Sequence, residues 1–271
     1  MAPPLEDIRP KFELKNRNYI VTGGAQGIGF ACARAVCEMG GNVVIMDIQE
    51  QPVEEYKTLS PKFGVKTEYI KTDVTREESL NTSFAKAIDI LGGLDGLIPC
   101  AGIAIDKPFT EQTWAEMTRI QEINVRGVFF SAQLAAKQMQ KQGSGGSMVL
   151  IASQCAHCAI PGYRMAAYNA SKGAVKMLAK ELAVEMAKFK IRVNTISPGF
   201  IDSEQTKTIR DLKSAIEGEQ MWKAPPLKRI GTQNDLTGAV IYLLSDASAY
   251  TTAVDIPIDG GMQAGRIDVE D

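Results

Sequence analysis

Tyr168 and Lys172 stand four positions apart in the run Tyr168-Asn169-Ala170-Ser171-Lys172. On a helix such positions share one face, with roughly 5–6 Å between β-carbons. A free phenol loses its proton near pH 10, so a tyrosine alone is a poor base at neutral pH. A neighbouring ammonium favours the phenolate. At about 4 Å and an effective dielectric of about 20 that attraction is roughly 4 kcal/mol, enough to bring Tyr168 towards neutrality and make it a general acid/base. The same spacing arises by chance on many helix surfaces, so its neighbours decide the reading. Ser153 follows an apolar run, Ser147 to Ala152, fifteen residues before Tyr168. If that run is a strand of a parallel sheet, Ser153 lies at the carboxyl end, where such sheets bind ligands, and its hydroxyl can hold a substrate oxygen. Asn124 falls inside a long helical stretch, where asparagine is unfavourable because its side chain competes for backbone bonds. A polar group in that place holds either a local irregularity or an ordered water.

A second group of residues suits a dinucleotide. Tyr19-Ile20-Val21 reads as a strand and runs into Thr22-Gly23-Gly24-Ala25-Gln26-Gly27-Ile28-Gly29. Gly23, Gly27 and Gly29 allow a tight turn and a close approach to a pyrophosphate at the start of a helix, with Gln26 and Ile28 beside them. Their spacing differs from the common G-x-G-x-x-G, and a glycine turn after a strand is weak evidence alone. Asp47 ends the second strand, where a carboxylate accepts hydrogen bonds from ribose hydroxyls and repels a 2′-phosphate. Gln26 and Ile48 are uncharged and no arginine stands ready for a phosphate, so NAD is expected over NADP. Asp73-Val74 follows the third strand. Asp73 either meets the adenine or caps the next helix.

These groups need a scaffold that gathers strand ends. Strands are expected at Asn42 to Met46, Lys66 to Ile70, Leu94 to Ile98, Ser147 to Ala152, Ile191 to Ile196 and Ala253 to Ile258. Helices are expected at Ile28 to Met39, Thr75 to Leu91, about Thr113 to Gln142, Tyr168 to Phe189 and Leu236 to Leu244. Apolar strands alternating with helices predict an α/β fold: a Rossmann-like, doubly wound parallel sheet of about seven strands with helices on both faces. One domain over 15–262 is expected, between a surface arm at 1–14 and an acidic tail at 263–271. Residues 143–146 read as a turn rather than a linker. Residues 200–226 are polar and less regular.

The chain has 271 residues and a formal net charge of −2, which gives no reason to expect nucleic acid or an anionic membrane as partner. The start carries no secretory signal pattern and no stretch approaches a membrane span, so a cytoplasmic protein is expected. The odd count of five cysteines fits reduced thiols. Cys32 and Cys37 read as small core residues. Cys155-Ala156-His157-Cys158 looks like a metal or redox pair, but the chain has one histidine and no second Cys-x-x-Cys, so no metal is expected. Cys155 is expected to line the substrate pocket. His157 either contacts substrate or sits in a loop.

Taken together, Thr22-Gly23, Gly27, Gly29, Asn124, Ser153, Tyr168, Lys172 and Ser197-Pro198-Gly199 resemble the short-chain dehydrogenase/reductase family over about Leu14 to Gly261. The resemblance implies that Tyr168 is the acid/base and that Lys172 lowers its pKa and binds the nicotinamide ribose. It implies that Ser153 orients the substrate carbonyl or hydroxyl and that Asn124 supports a proton-relaying water. Ala101-Gly102 would pass close to the cofactor, Pro198, Gly199 and Ile201 would border the nicotinamide, and Ser203 would reach its amide. Residues 200–226 would cover the substrate, and the helices at 113–142 and 168–189 would build a homotetramer or homodimer. Pro99-Cys100 stand where the family usually has two asparagines, which puts local strand stability in doubt. The overall likeness is to polyol and sugar-alcohol dehydrogenases. A secondary alcohol or polyol is the first expectation and a larger cyclic or polyketide-like ketone the second. A bulky apolar pocket under 200–226 would favour the second. A non-enzymatic nucleotide binder is the third.

Overall fold

The computed structural model describes residues 7–211, 213 and 215–265. Seven strands form one parallel sheet in the order β3-β2-β1-β4-β5-β6-β7. They are β1 (Asn18–Thr22), β2 (Asn42–Asp47), β3 (Thr67–Lys71), β4 (Gly96–Pro99), β5 (Gly146–Ile151), β6 (Ile191–Pro198) and β7 (Asp255–Ile258). The period of two along each strand divides the core into two layers. Ile20, Val44, Leu97 and Leu150 point to one side. There they pack against α3 (Glu77–Leu91), α5 (Val128–Gln142) and α6 (Ala166–Met186). Tyr19, Val21, Ile45, Val149 and Ile196 point to the other. There they meet α1 (Gly27–Glu38), α2 (Tyr56–Phe63) and α9 (Asn234–Leu244). Cys32 and Cys37 are fully buried on α1, as small core residues.

The strand order reverses between β1, which neighbours β2, and β4, which opens the other half. That switch point at the carboxyl ends is where open α/β sheets leave a crevice. The β4 strand is also the weakest joint. It pairs with β1 over four positions but with β5 over only two, Gly96–Ser147 and Leu97–Met148. Cys100 N donates to Thr22 O on β1, so the alternation aims residue 99 towards β5. Proline has no N–H to give there, and the ladder stops early.

Several expectations need correction. The helix expected from 113 to 142 is three pieces: α4 (Trp114–Gln121), a π-helical turn (Glu122–Gly127) and α5. The short α2 was not foreseen, since it buries only Leu59 and contains Pro61. Residues 200–226 contain α7 (Glu204–Asp211) and α8 (Ala215–Lys223). Leu14 is fully buried, so the end of the expected arm belongs to the core. The acidic run at 267–271 lies outside the described residues. Gly143, at φ 72°, closes α5 in a left-handed turn, and the connection expected at 143–146 is one residue shorter because Gly146 already begins β5. Among the described residues no helix is long and apolar enough to cross a membrane.

Candidate active site

A cleft of about 910 Å³ opens along the carboxyl ends of the strands. That is near the upper end of the roughly 300–1,000 Å³ usual for ligand pockets. One end is the glycine loop between β1 and α1. Gly23 (φ 69°) allows the loop to lie against the chain after β4: a Cβ there would fall 2.5 Å from Ala101 Cα. Gly29 packs so tightly that a Cβ would sit 2.1 Å from Gly23 O. Gly27 (φ 59°) has nothing within 4 Å of its Cβ position and lines the cleft with Gln26 and Ile28. No side chain caps α1. Its first N–H groups and the positive end of its dipole are therefore available to an anion, and a pyrophosphate fits this cradle.

Asp47 lies at the end of β2 on the cleft wall. Its carboxylate is fixed from two sides, by Ala25 N at 3.0 Å and Gln49 N at 3.1 Å. Asp73 and Val74 also line the cleft. Asp73 accepts from Thr75 N at 2.9 Å and Thr75 Oγ1 at 2.7 Å, so it turns the chain towards α3. The α3 N-cap position itself is Arg76, without a side-chain cap. Asp73 thus lines the cleft without capping the helix.

At the other end Ser153, Tyr168 and Lys172 converge on the cleft. Ser153 follows β5 and is 6% exposed. Its Oγ accepts from Cys155 N at 3.1 Å, and its side chain works to hold the Tyr168 phenol's pKa down. Lys172 is buried, one turn along α6 from Tyr168. Its Nζ donates to Ile151 O at 2.8 Å and lies 5.7 Å from the centre of the tyrosine ring. The expected electrostatics are not those of the folded polypeptide. Burial pushes the Tyr168 phenol up, Cys155 and Cys100 add to the rise, and the Ser153 side chain opposes it. Burial also pulls Lys172 down to about 8, against the opposing influence of Cys100 and Cys155. Desolvation is the largest influence on both groups, so the chain alone holds Tyr168 as a protonated acid.

Asn124 sits on the π-helical turn and is fully buried. Its Oδ1 accepts from Ile103 N at 2.9 Å, while its Nδ2 donates to Ile103 O at 2.9 Å and Ser171 Oγ at 3.0 Å. Both amide protons are taken, so the side chain itself has none left for a relaying water. What it does is lock the 101–103 segment to α6. This is the local irregularity that an asparagine inside a helix suggested.

Ala101 and Gly102 line the cleft. A Cβ on Gly102 would come 3.3 Å from Asn124 Oδ1. Pro198, Gly199, Ile201 and Ser203 line it from the β6 side. Ser203 is less free than expected, because its Oγ bonds Thr206 N at 3.2 Å and Thr206 Oγ1 at 3.1 Å at the start of α7. Cys155 lines the pocket as expected, with its thiol pushed up to about 11 by burial. His157 does not line it. Its ring turns away to Asp255 on β7, 2.6 Å from Nε2 to Oδ2. The reason is local: the 3-10 turn Gln154–Ala156 reverses the chain straight after Ser153. Cys158 points back to Gln154 O.

Residues 200–226 supply Phe200, Ile209 and Met221 to the cleft wall, as the resemblance implied, but sequence reasoning missed Tyr163 and Met165, which complete it. It also missed Asp106 and Lys213, which pair behind that wall at 2.5 Å. Tyr163 and Met165 lie in a loop, where no periodicity betrays them.

A Rossmann-type sheet with a glycine cradle at one end and a serine–tyrosine–lysine group at the other defines a nicotinamide-dependent oxidoreductase. The comparisons agree. Residues 23–263 match the family model described as enoyl-(acyl carrier protein) reductase. The chain is 39% identical to the sorbose reductase of Schizosaccharomyces pombe, over 92% of this chain and 97% of that one. It is 36% identical to a probable NADP-dependent mannitol dehydrogenase of Yarrowia lipolytica, over 94% and 91%. The fold is similar to the NADPH-dependent 3-quinuclidinone reductase of Rhodotorula rubra, with a TM-score of 0.87, 32% identity and 97% of each chain covered. This chain belongs to the short-chain dehydrogenase/reductase family and is an oxidoreductase acting on CH–OH groups with a nicotinamide cofactor.

Proposed function

We propose that the protein interconverts a ketone and a secondary alcohol of the polyol or sugar-alcohol class, with Tyr168 as acid/base. The observation that carries this is the convergence of Ser153 and Tyr168 on one cleft wall, with Lys172 buried one turn along α6. The bound nicotinamide supplies or accepts the hydride. The chain's own residues do the rest. Ser153 orients the substrate oxygen, and Tyr168 holds at Oη the proton that the oxygen gains or loses. Lys172 sets the charge beside the phenol and is in reach of the nicotinamide ribose. Gly23, Gln26, Gly27, Ile28 and Gly29 hold the pyrophosphate, Asp47 the adenosine ribose and Asp73-Val74 the adenine. Ala101, Gly102, Pro198, Gly199, Ile201 and Ser203 border the nicotinamide.

The doubly anchored Asp47 carboxylate favours NAD, because a 2′-phosphate beside it meets like charge. The likeness to sorbose reductase supports the polyol reading. The apolar wall of Met165, Phe200, Ile209 and Met221 favours a second reading, a bulkier cyclic ketone. Five free thiols suit a reducing cytoplasm. Exposed apolar side chains on α4, α5 and α6 suit a homotetramer.

The test is reduction of a panel of ketoses and cyclic ketones with NADH and NADPH. Tyr168→Phe should lower kcat by about 100- to 10,000-fold. Turnover unchanged by that substitution would remove Tyr168 from the role. Calorimetry should give tighter NADH than NADPH binding, with the preference relaxed in Asp47→Ala. Tighter NADPH binding would reverse the cofactor assignment.

A further inference from the structure

The chain's one histidine sits just outside the cleft, in a polar cluster that the reaction does not use. His157 Nδ1 is 2.8 Å from Lys176 Nζ, and Nε2 is 2.6 Å from Asp255 Oδ2. Longer contacts run from Nε2 to Ser197 Oγ at 3.2 Å and to Lys176 Nζ at 3.3 Å. An ammonium can only donate. Nδ1 therefore accepts, which leaves the ring proton on Nε2, where Ser197 Oγ can take it at 3.2 Å; Asp255 Oδ2 lies close by but is not aligned to accept it. The other carboxylate oxygen is already taken: Thr195 Oγ1 and Ser197 Oγ donate to Asp255 Oδ1 at 2.6 and 2.8 Å. Lys176 reaches Oδ2 only at 3.9 Å, so the imidazole stands between a cation and an anion that do not meet well directly. The side chains of His157 and Asp255 are 17% and 9% exposed, which makes each hydrogen bond harder for water to replace.

The bridge joins the parts of the structure that hold the candidate active site. His157 ends the turn that begins at Ser153: Ala156 N donates to Ser153 O at 2.9 Å and His157 N to Gln154 O at 2.9 Å. Lys176 stands one turn beyond Lys172 on α6. Ser197 precedes Pro198-Gly199 on β6, and Asp255 lies on β7, two strands away from the strand that delivers Ser153.

We propose that His157, as the neutral Nε2–H tautomer, is a positioning residue: it clamps the Ser153 turn to α6 and the β6–β7 edge and so fixes where the Ser153 hydroxyl points. This rests on Ser153 orienting the substrate oxygen. A displacement of about 1 Å at such a group can cost up to roughly a hundredfold in rate without touching cofactor affinity. A glutamine amide offers the same pairing, an N–H for Ser197 and an oxygen for Lys176, whereas alanine offers neither.

A single histidine makes the test clean. Protein made without a histidine tag and labelled with 15N-histidine gives one imidazole, whose two nitrogen shifts report the tautomer at pH 7. An Nε2–H tautomer is expected. Nδ1–H or a cationic ring would overturn the proposal, and this readout needs no turnover. In kinetics with a ketone that the protein reduces, His157→Ala should lower kcat about tenfold or more, with NADH affinity within about twofold. His157→Gln should recover to within about threefold of the parent protein. Full activity in His157→Ala, equal losses in both variants, or a parallel loss of NADH binding would each overturn it. If Tyr168→Phe retained turnover, the acid/base reading would fail while the tautomer and the alanine–glutamine contrast still judged the clamp.

Discussion

At the scale of single residues, burial decides the chemistry more than pairing does. Lys172 was legible from its spacing to Tyr168, but the sign of its influence was not, because a sequence does not say how much water each group loses. In the structure the ammonium is buried and its pKa falls from 10.5 to about 8. The stability consequence follows from linkage. Below pH 8 the group is charged in folded and unfolded chains alike, and the full cost of burying the charge is present. Between about 8 and 10.5 the unfolded chain holds more protons, so this site's contribution to stability rises with pH. The cost at neutral pH is roughly 3 kcal/mol. Lys172→Met removes it but leaves Ile151 O without its donor, a loss of about 1–2 kcal/mol. The expected outcome at pH 7 is a melting temperature raised by about 2–4 °C, with turnover abolished. At pH 10 the gain should largely vanish. Calorimetric melting at both pH values checks this, and a variant less stable than the parent at pH 7 would mean that the lysine is held more favourably than its burial implies.

At the scale of elements, the parts with regular periodicity were readable and the parts that close the cleft were not. All seven strands and the long helices announce themselves through apolar spacing, and Asn124 correctly marked a break in the helix that follows β4. By contrast, α7 and α8 have mixed polar faces, and the contact that seats them is far away in sequence. Lys213, between those helices, has a side chain 1% exposed and lies 2.5 Å from Asp106, whose side chain is fully buried. It also donates to Gly162 O at 2.6 Å. Asp106 is held as well by Arg164 Nε at 2.9 Å. Removing one partner of a buried pair costs about 3–5 kcal/mol, because the other charge is left uncompensated. Arg164 softens that cost here without covering the oxygen that Lys213 served. Lys213→Met should therefore loosen the 200–226 segment. The expected readouts are a KM for the ketone raised about tenfold and faster limited proteolysis within 200–226, with NADH affinity little changed. Unchanged proteolysis would show that the pair does not seat the segment.

At the scale of the whole molecule, the exposed apolar surface gathers on the helices beside the cleft. Trp114 is 90% exposed on α4, with Met117, Phe129 and Phe130 at 40%, 42% and 44% nearby. Met177 and Val184 on α6 are 60% and 76% exposed. These helices carry Tyr168, Lys172 and, on the π-helical turn between α4 and α5, Asn124. Apolar patches of this kind mark contact surfaces on soluble proteins. If a second copy covers them, association buries the back of the very helices that position the site, and oligomerisation and activity become linked. The expected state in light scattering is a homotetramer of the 29.4 kDa chain. Phe130→Glu places a charge in the middle of the covered surface and should shift the population to smaller species. Those smaller species should melt lower, with a transition that depends on protein concentration. A parent protein that elutes as a monomer would leave Trp114 and Phe130 facing water, and the stability of α4–α6 would then have to come from the single chain.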